Sequence, residues 1–371
     1  MKILYIGHTY TVRANHAKIV ALAREPGVEI VLVTPPGWRG PLYNNTTDLF
    51  DTSSTPNVTH KVVPAYFIGK ESGYFYGPAL FRIVRQFQPD IIHVEQGAYA
   101  LSYAQTLLAV RLFSPRSKAM FFTWWNLPYR ARGIKWIAER FNLARSKAAI
   151  VGNSAARTIL QTHGFQGSVH VLPQLGIDCA ATNRTRNDEN VFTIGYAGRI
   201  TKEKGVLDLI EAASQMQSKD SAQLYFVGSG DALEEAKRLA AYHGIAFLHH
   251  PPVRNDELPE HLAKMDVLVL PSRTTPQWVE QFGHILLEAM AAGIPVAGSS
   301  SGEIPNVIGD AGYIFPEGDT AALAAKLDRL GCDREEWNRL SQAGMLRVAT
   351  QFTNKIVAEK QIEIYKSLLA P

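Results

Sequence analysis

Apolar and polar positions along the chain fall into two alternating patterns. Short β-branched runs predict buried strands: KILYIG, EIVLV, DIIHV and AAIVG in the first half, FTIGYAG, QLYFVG, DVLVLP and IPVAG in the second. Stretches with apolar residues three and four apart, such as NHAKIVALARE, GPALFRIVRQF, VLDLIEAASQM, ALEEAKRLAAYHG and HILLEAMAAG, predict helices. Alternating strands and helices form βαβ units and parallel sheets. Two such sets predict an α/β chain of two doubly wound domains. After VHVLP comes a polar stretch with Thr182, Asn183, Thr185 and Asn187, so the linker is placed at residues 174–190. The domains are then 1–177 and 178–352. From Thr353 to Leu369 the pattern reads as one amphipathic helix, with Ile356, Ile362, Ile364, Tyr365 and Leu368 apolar, and the end of the chain, 353–371, is expected to pack back on the first domain.

Composition supports two packed cores: 371 residues exceed one ordinary core, and 46% hydrophobic with 19% charged residues excludes a disordered chain. Cys179 and Cys332 stand alone, with no CxxC and no histidine cluster, so neither a disulfide framework nor a structural zinc is expected. No signal-like leader precedes KILYIG and no apolar run reaches membrane-span length, which points to the cytoplasm. Charge is uneven. Residues 1–180 hold 19 Lys and Arg against 9 Asp and Glu, or +10, leaving −6 for the rest. Such a basic half attracts an anionic partner, and no nucleic-acid motif accompanies it.

Candidate chemistry concentrates in VEQFGHILLEAM. An apolar helix beginning near Phe282 and Gly283 presents free N–H groups and the positive end of its dipole, which suits a phosphate. Glu288 falls one turn beyond His284, and a carboxylate on so apolar a helix needs donors such as ribose hydroxyls. Glu280 precedes the helix, in the loop after DVLVLP, at the carboxyl edge where parallel sheets bind ligands. The competing reading is a solvated Glu280 and an interior ion pair at Glu288. Upstream, YAGRITKEKG offers Arg199 and Lys204 around a glycine turn, able to hold a diphosphate together.

GRITKEKG, LPSRTTPQWVEQFGHILLEAMAAGIPV, SGEIPNVI and DAGYIFPEGD, in that order, resemble the nucleotide-sugar domain of the family-4 retaining glycosyltransferases, whose fold is GT-B: two doubly wound Rossmann-like domains facing a central cleft. The likeness is dense from about residue 191 to 320 and looser before. It implies that Arg199 and Lys204 hold the donor diphosphate, that Glu288 receives the ribose hydroxyls and that Glu280 sits by the donor sugar. Backbone at Gly198 and around Phe282, Gly283 and His284 would meet phosphates or sugar, and the base would lie near His249 to Val253. It further implies a nucleotide diphosphate sugar as co-substrate, UDP favoured and GDP possible, with retention of configuration. No Asp-x-Asp occurs, so protein cations are expected in place of a metal, with no cofactor.

The first domain departs from the pattern. GHTYTVRANHAK lacks the Gly-Gly pair of many relatives, leaving His8, Arg13, Asn15 or His16 as side-chain substitutes. FFTWWNLP puts Trp125 and Asn126 where relatives carry a histidine, and Asn126 is assigned to the donor sugar. Glu95, at the end of IIHVEQ, is either an acceptor contact or half of an ion pair. Glu303 and Asn306 in SGEIPNVI also differ from the family pattern.

The basic segment 132–147 interleaves Trp136, Ile137, Phe141 and Ala144 with Arg132, Lys135, Arg140 and Arg145, and YFYGPALFRIVRQF adds Tyr74, Phe75 and Tyr76 beside Arg82 and Arg85. Either these apolar residues enter the core, or the surface meets an anionic membrane from the cytoplasmic side. The favoured function is sugar transfer to a lipid-linked or polysaccharide acceptor in bacterial surface glycan synthesis. Rival readings are a nucleotide-sugar epimerase or phosphorylase on the same fold, and a non-catalytic nucleotide-sugar-binding protein.

Overall fold

The computed structural model describes residues 1–40, 45–178 and 191–370. The chain folds as two compact units, Met1–Gly176 with Asn354–Pro371, and Ile177–Thr353. Most of the expected linker, including Cys179, lies outside the described residues; Cys332 is an exposed free thiol.

The first unit holds the strands β1 (Lys2–Ile6), β2 (Glu29–Thr34), β3 (Val58–Val62), β4 (Ala65–Tyr66), β5 (Phe75–Tyr76), β6 (Ile91–Val94), β7 (Lys118–Thr123), β8 (Ala148–Val151) and β9 (Ser168–Val171). Seven of them form a parallel sheet in the order β3-β2-β1-β6-β7-β8-β9, and β4 with β5 makes a small antiparallel ribbon. The helices are α1 (His16–Ala23), α2 (Ala79–Phe87), α3 (Leu101–Phe113), α4 (Ile134–Arg145) and α5 (Ser154–Thr162). Strands β1, β6, β7 and β8 bury every residue from Ile3, Ile91, Ala119 and Ala148 onward, which is why they read as continuous apolar runs. One core, with Leu4, Ile6, Val94 and Phe121, lies on one face; another, with Ile3, Tyr5, Ile91 and Ile150, lies on the other.

The second unit repeats the plan. Its strands are β10 (Phe192–Ala197), β11 (Ala222–Val227), β12 (Ala246–His250), β13 (Val267–Leu270), β14 (Val296–Ser299) and β15 (Tyr313–Phe315), in the order β12-β11-β10-β13-β14-β15. The helices are α6 (Val206–Ser214), α7 (Leu233–His243), α8 (Leu258–Leu262), α9 (His284–Ala291), α10 (Ile304–Ile308), α11 (Thr320–Cys332) and α12 (Arg334–Gln351). The final helix, α13 (Asn354–Leu369), packs on α1 in the first unit. Val357, Ile362 and Tyr365 enter the core there, and the Tyr365 hydroxyl meets His93 Nδ1 at 2.7 Å.

The two candidate surfaces differ. Tyr74 and Tyr76 are fully buried, Tyr74 edge-on to Trp38, so of the 74–87 segment only Arg82 and Arg85 remain as an exposed basic pair. Helix α4, by contrast, turns Ile134, Trp136 and Ile137 outward and buries Ala138, Glu139, Asn142 and Leu143. No helix among the described residues is long and apolar enough to cross a membrane.

Candidate functional site

In each sheet the strand order reverses beside the first strand, and the loops leaving the two central strands at their carboxyl ends open to opposite sides. Such switch points are where doubly wound sheets hold ligands. In the second unit these strands are β10 and β13. The loop after β10 supplies Gly198, Arg199 and Lys204; the loop after β13 supplies Ser272, Trp278 and Glu280.

These two loops meet through charge. Lys204 Nζ lies 2.7 Å from Glu280 Oε2, and Ser272 Oγ donates to the same oxygen at 2.8 Å. The Lys204 ammonium also stands 4.7 Å from the centroid of the Trp278 ring, a cation–π distance. Both charged side chains are largely covered. Backbone geometry fixes the carboxylate: Gly302 adopts φ +54°, and a Cβ there would fall 2.0 Å from the Glu280 carbonyl. Only glycine lets the approach to α10 close on this loop.

Helix α9 follows directly. Gly283 turns the chain at φ +84° and has no side chain to cap the helix start, and no acidic residue lies in the first turn, where the dipole's positive end favours an anion. Phe282 is buried, its ring 4.9 Å from that of His284. The His284 side chain stays open to solvent, yet its surroundings are crowded enough that desolvation lowers its pKa to about 4, keeping it neutral. One turn on, Glu288 is half-buried and pushed up to about 7 by burial. Among the described residues no group bonds its carboxylate, so the interior ion pair does not form. Arg199 remains mostly exposed, with a loose 3.6 Å contact to Glu203, while the Tyr196 hydroxyl holds its carbonyl. His249 is the penultimate residue of β12, and its Nε2 lies 2.9 Å from the Gly228 carbonyl; Val253 is half-buried in the segment beyond the strand.

The first-unit candidates scatter. His8 follows β1 and stacks on Trp38 at 4.0 Å, and its Nδ1 accepts from Gln96 at 2.6 Å. Burial lowers its pKa to about 4. His16 is buried with Nε2 2.9 Å from the Tyr10 carbonyl, Asn15 donates to the Thr9 carbonyl, and Arg13 is exposed. Glu95, considered as an acceptor contact, has a fully buried side chain ion-paired to Lys18 at 3.0 Å, and it also accepts from Tyr5, Tyr10 and Gln174. Its carboxylate is closed to an acceptor, because every oxygen already serves the packing of β1, α1 and β6. Asn126 is buried; Trp125 is 41% exposed beside Tyr99 and Tyr129, whereas Trp124 donates to Gln174 inside.

Sequence reasoning misses Ser272 and Trp278. Trp278 lies two residues before Glu280, so a shared side in an extended loop is the available signal. Asn306 Nδ2 donates to Glu303 Oε1 at 3.0 Å, and the Glu303 backbone N–H donates to the Glu280 carbonyl, so this pair braces the loop. No group of three His, Cys, Asp or Glu among the described residues could hold a metal.

Known proteins resemble the chain on both sides of this geometry. The family model described as Glycosyltransferase Family 4 matches residues 17–180, and that described as Glycosyl transferases group 1 matches residues 181–347. The chain is 28% identical over 288 residues to sulfoquinovosyl transferase SQD2 of Arabidopsis thaliana, covering 70% of this chain and 53% of that protein. It is 32% identical over 180 residues to N-acetyl-alpha-D-glucosaminyl L-malate synthase of Bacillus anthracis, covering 47% and 45%. The chain thus spans about half the length of these curated relatives. Among solved structures, Anabaena HepE in complex with UDP superposes with a TM-score of 0.70 at 16% identity, covering 99% of this chain and 100% of that one, a likeness of fold. The two family models follow one another along the sequence, each over one parallel-sheet unit, and the chain belongs to the family-4 glycosyltransferases of the GT-B fold.

Proposed function

We propose that the protein transfers a sugar from a nucleotide diphosphate sugar, UDP-linked in preference to GDP-linked, to a hydroxyl of a lipid-linked or polysaccharide acceptor, with retention of anomeric configuration. The observation that carries this reading is the Lys204–Glu280 pair at a sheet switch point, one short loop ahead of a helix that starts at Gly283 and carries Glu288, whose carboxylate bonds no group among the described residues. Cations and helix N–H groups suit a diphosphate, and carboxylates suit hydroxyl donors. HepE, solved with UDP, and two relatives named for glycosyl transfer or synthesis support it.

The chemistry follows from charge. As the anomeric C–O bond breaks, the sugar gains oxocarbenium character and the diphosphate gains negative charge. Lys204, Arg199 and the start of α9 stabilise that charge, so the chain's own cations do the work a metal does elsewhere. The acceptor oxygen forms the new bond on the face the phosphate leaves, and its proton passes to a phosphate oxygen. Glu280 holds the Lys204 ammonium and orients the donor sugar, and Glu288 receives the ribose hydroxyls. The setting is the cytoplasm, on the inner side of a membrane, in bacterial surface glycan synthesis.

Incubation with UDP- and GDP-sugars in the presence of a bacterial membrane extract tests this. Donor-dependent incorporation of label with release of nucleotide diphosphate is expected. Recovery of an epimerised donor, or binding without turnover for every donor, would overturn the reading.

A further inference from the structure

We infer that the outward face of α4, with the loop entering it, is a docking surface for an anionic lipid bilayer. The helix is turned against the usual rule. Ile134, Trp136 and Ile137 are 66%, 53% and 60% exposed, although three large apolar side chains so close together are normally buried. Inward it presents Glu139 and Asn142 instead, and both are engaged. Glu139 accepts from the Tyr129 hydroxyl and lies 2.9 Å from His163 Nδ1; Asn142 Nδ2 donates to the carbonyls of Ala98 and Ala100. These bonds fix the rotation of α4, so the apolar residues cannot roll into the core without leaving buried polar groups unpaired. Helix α3, which packs beside α4, exposes Leu108 and Leu112 in the same way.

The surrounding charge selects the partner. Glu139 is the only acid from residue 96 to residue 177, and it is buried. Arg111, Arg116, Arg130, Arg132, Lys135, Arg140 and Lys147 are all exposed. Aliphatic side chains and a tryptophan ringed by cations match the interface of a membrane with acidic headgroups: the apolar groups enter the acyl boundary, tryptophan sits at headgroup level, and the cations meet phosphate. A nucleic acid would engage the cations but leave Ile134 and Ile137 in water. A second copy of the chain would bring like charges together.

This surface lies in the first unit and does not depend on the transfer reading. Flotation of the full chain with vesicles of phosphatidylcholine alone, or with about 30% phosphatidylglycerol, tests it. Binding is expected only to the acidic vesicles, falling at least about tenfold between roughly 0.05 and 0.5 M salt, as counterion screening requires. The exposed triple variant Ile134→Ser, Trp136→Ser, Ile137→Ser should fold normally by circular dichroism and lose about tenfold or more in partition, as removal of apolar insertion requires. Substituting Arg132, Lys135 and Arg140 by Gln should cost about fivefold per charge. Brominated lipids should quench wild-type fluorescence and leave the triple variant unquenched. Equal partition of wild type and triple variant overturns the inference. So does a dimer in solution that the triple variant abolishes, which would assign the face to a second copy. UDP binding, measured by calorimetry on the same samples, separates this result from the fate of the transfer proposal.

Discussion

Lys204 and Glu280, 76 residues apart, form a largely covered 2.7 Å ion pair that ties together the two loops of one switch point. A diphosphate entering this place does not find a free ammonium; it finds one already aimed and shared. Lys204→Ala therefore removes the cation and also its 2.7 Å contact with Glu280. Turnover should fall by about 10²–10³-fold, the magnitude seen when a preorganised donor to developing negative charge is lost. Arg199→Ala, at an exposed position, should cost activity without loss of fold. Nucleotide diphosphate release, with circular dichroism as a control, checks both, and a fully active double variant would falsify the assignment.

Trp278 faces the same ammonium. A cation–π contact of this kind contributes about 0.5–2 kcal/mol, so Trp278→Leu should lower kcat about 2- to 30-fold. Trp278→Phe should restore most of it, because the ring face survives. Equal losses in the two variants would reduce Trp278 to packing.

Glu288 has its pKa raised to about 7 by burial. On the proposed assignment, in which ribose hydroxyls donate to the ionised carboxylate, UDP affinity should rise as pH climbs through about 7, with proton release on binding below that value. Calorimetry in two buffers of different ionisation enthalpy measures that proton, and Glu288→Gln should abolish it. The stability sign runs the other way. With the folded value above the ordinary 4.5, the favourable contribution of the protonated form is complete below about 4.5 and is lost as pH rises through about 7.

Lys18 and Glu95 are a buried pair in the first unit. Breaking one side of such a pair typically costs about 3–5 kcal/mol, whereas replacing both with neutral groups costs far less. Lys18→Met should destabilise strongly in urea unfolding, and Lys18→Met with Glu95→Gln should recover much of the loss. A double variant as unstable as the single would show that the Tyr5 and Tyr10 hydroxyls, not charge, dominate.

Much of this architecture is legible in the sequence, for identifiable reasons. Strands buried on both faces write themselves as unbroken apolar runs, so β1, β6, β10 and β13 stand out, and with them the loops that carry Lys204 and Glu280. Strand β3 does not, because three of its five residues, Thr59, Lys61 and Val62, are exposed. Glu95 is ambiguous because a carboxylate at a strand end suits a ligand and an ion pair equally; only the three-dimensional approach of Lys18 on α1 separates the two. The orientation of α4 is hidden for a related reason. Its apolar residues follow helical spacing, but hydrogen bonds from Asn142 and Glu139 to distant segments decide which side faces in.

The last sixteen-residue helix seats Val357, Ile362 and Tyr365 among residues from the opening strands. During synthesis, therefore, the half of the protein that leaves the ribosome first is the half that finishes last: until α13 emerges, the groove beside α1 stays uncovered. A stop codon near residue 353 would leave β1 to β15 in place and strip a hydrophobic seam bare, turning a short deletion into an aggregation hazard.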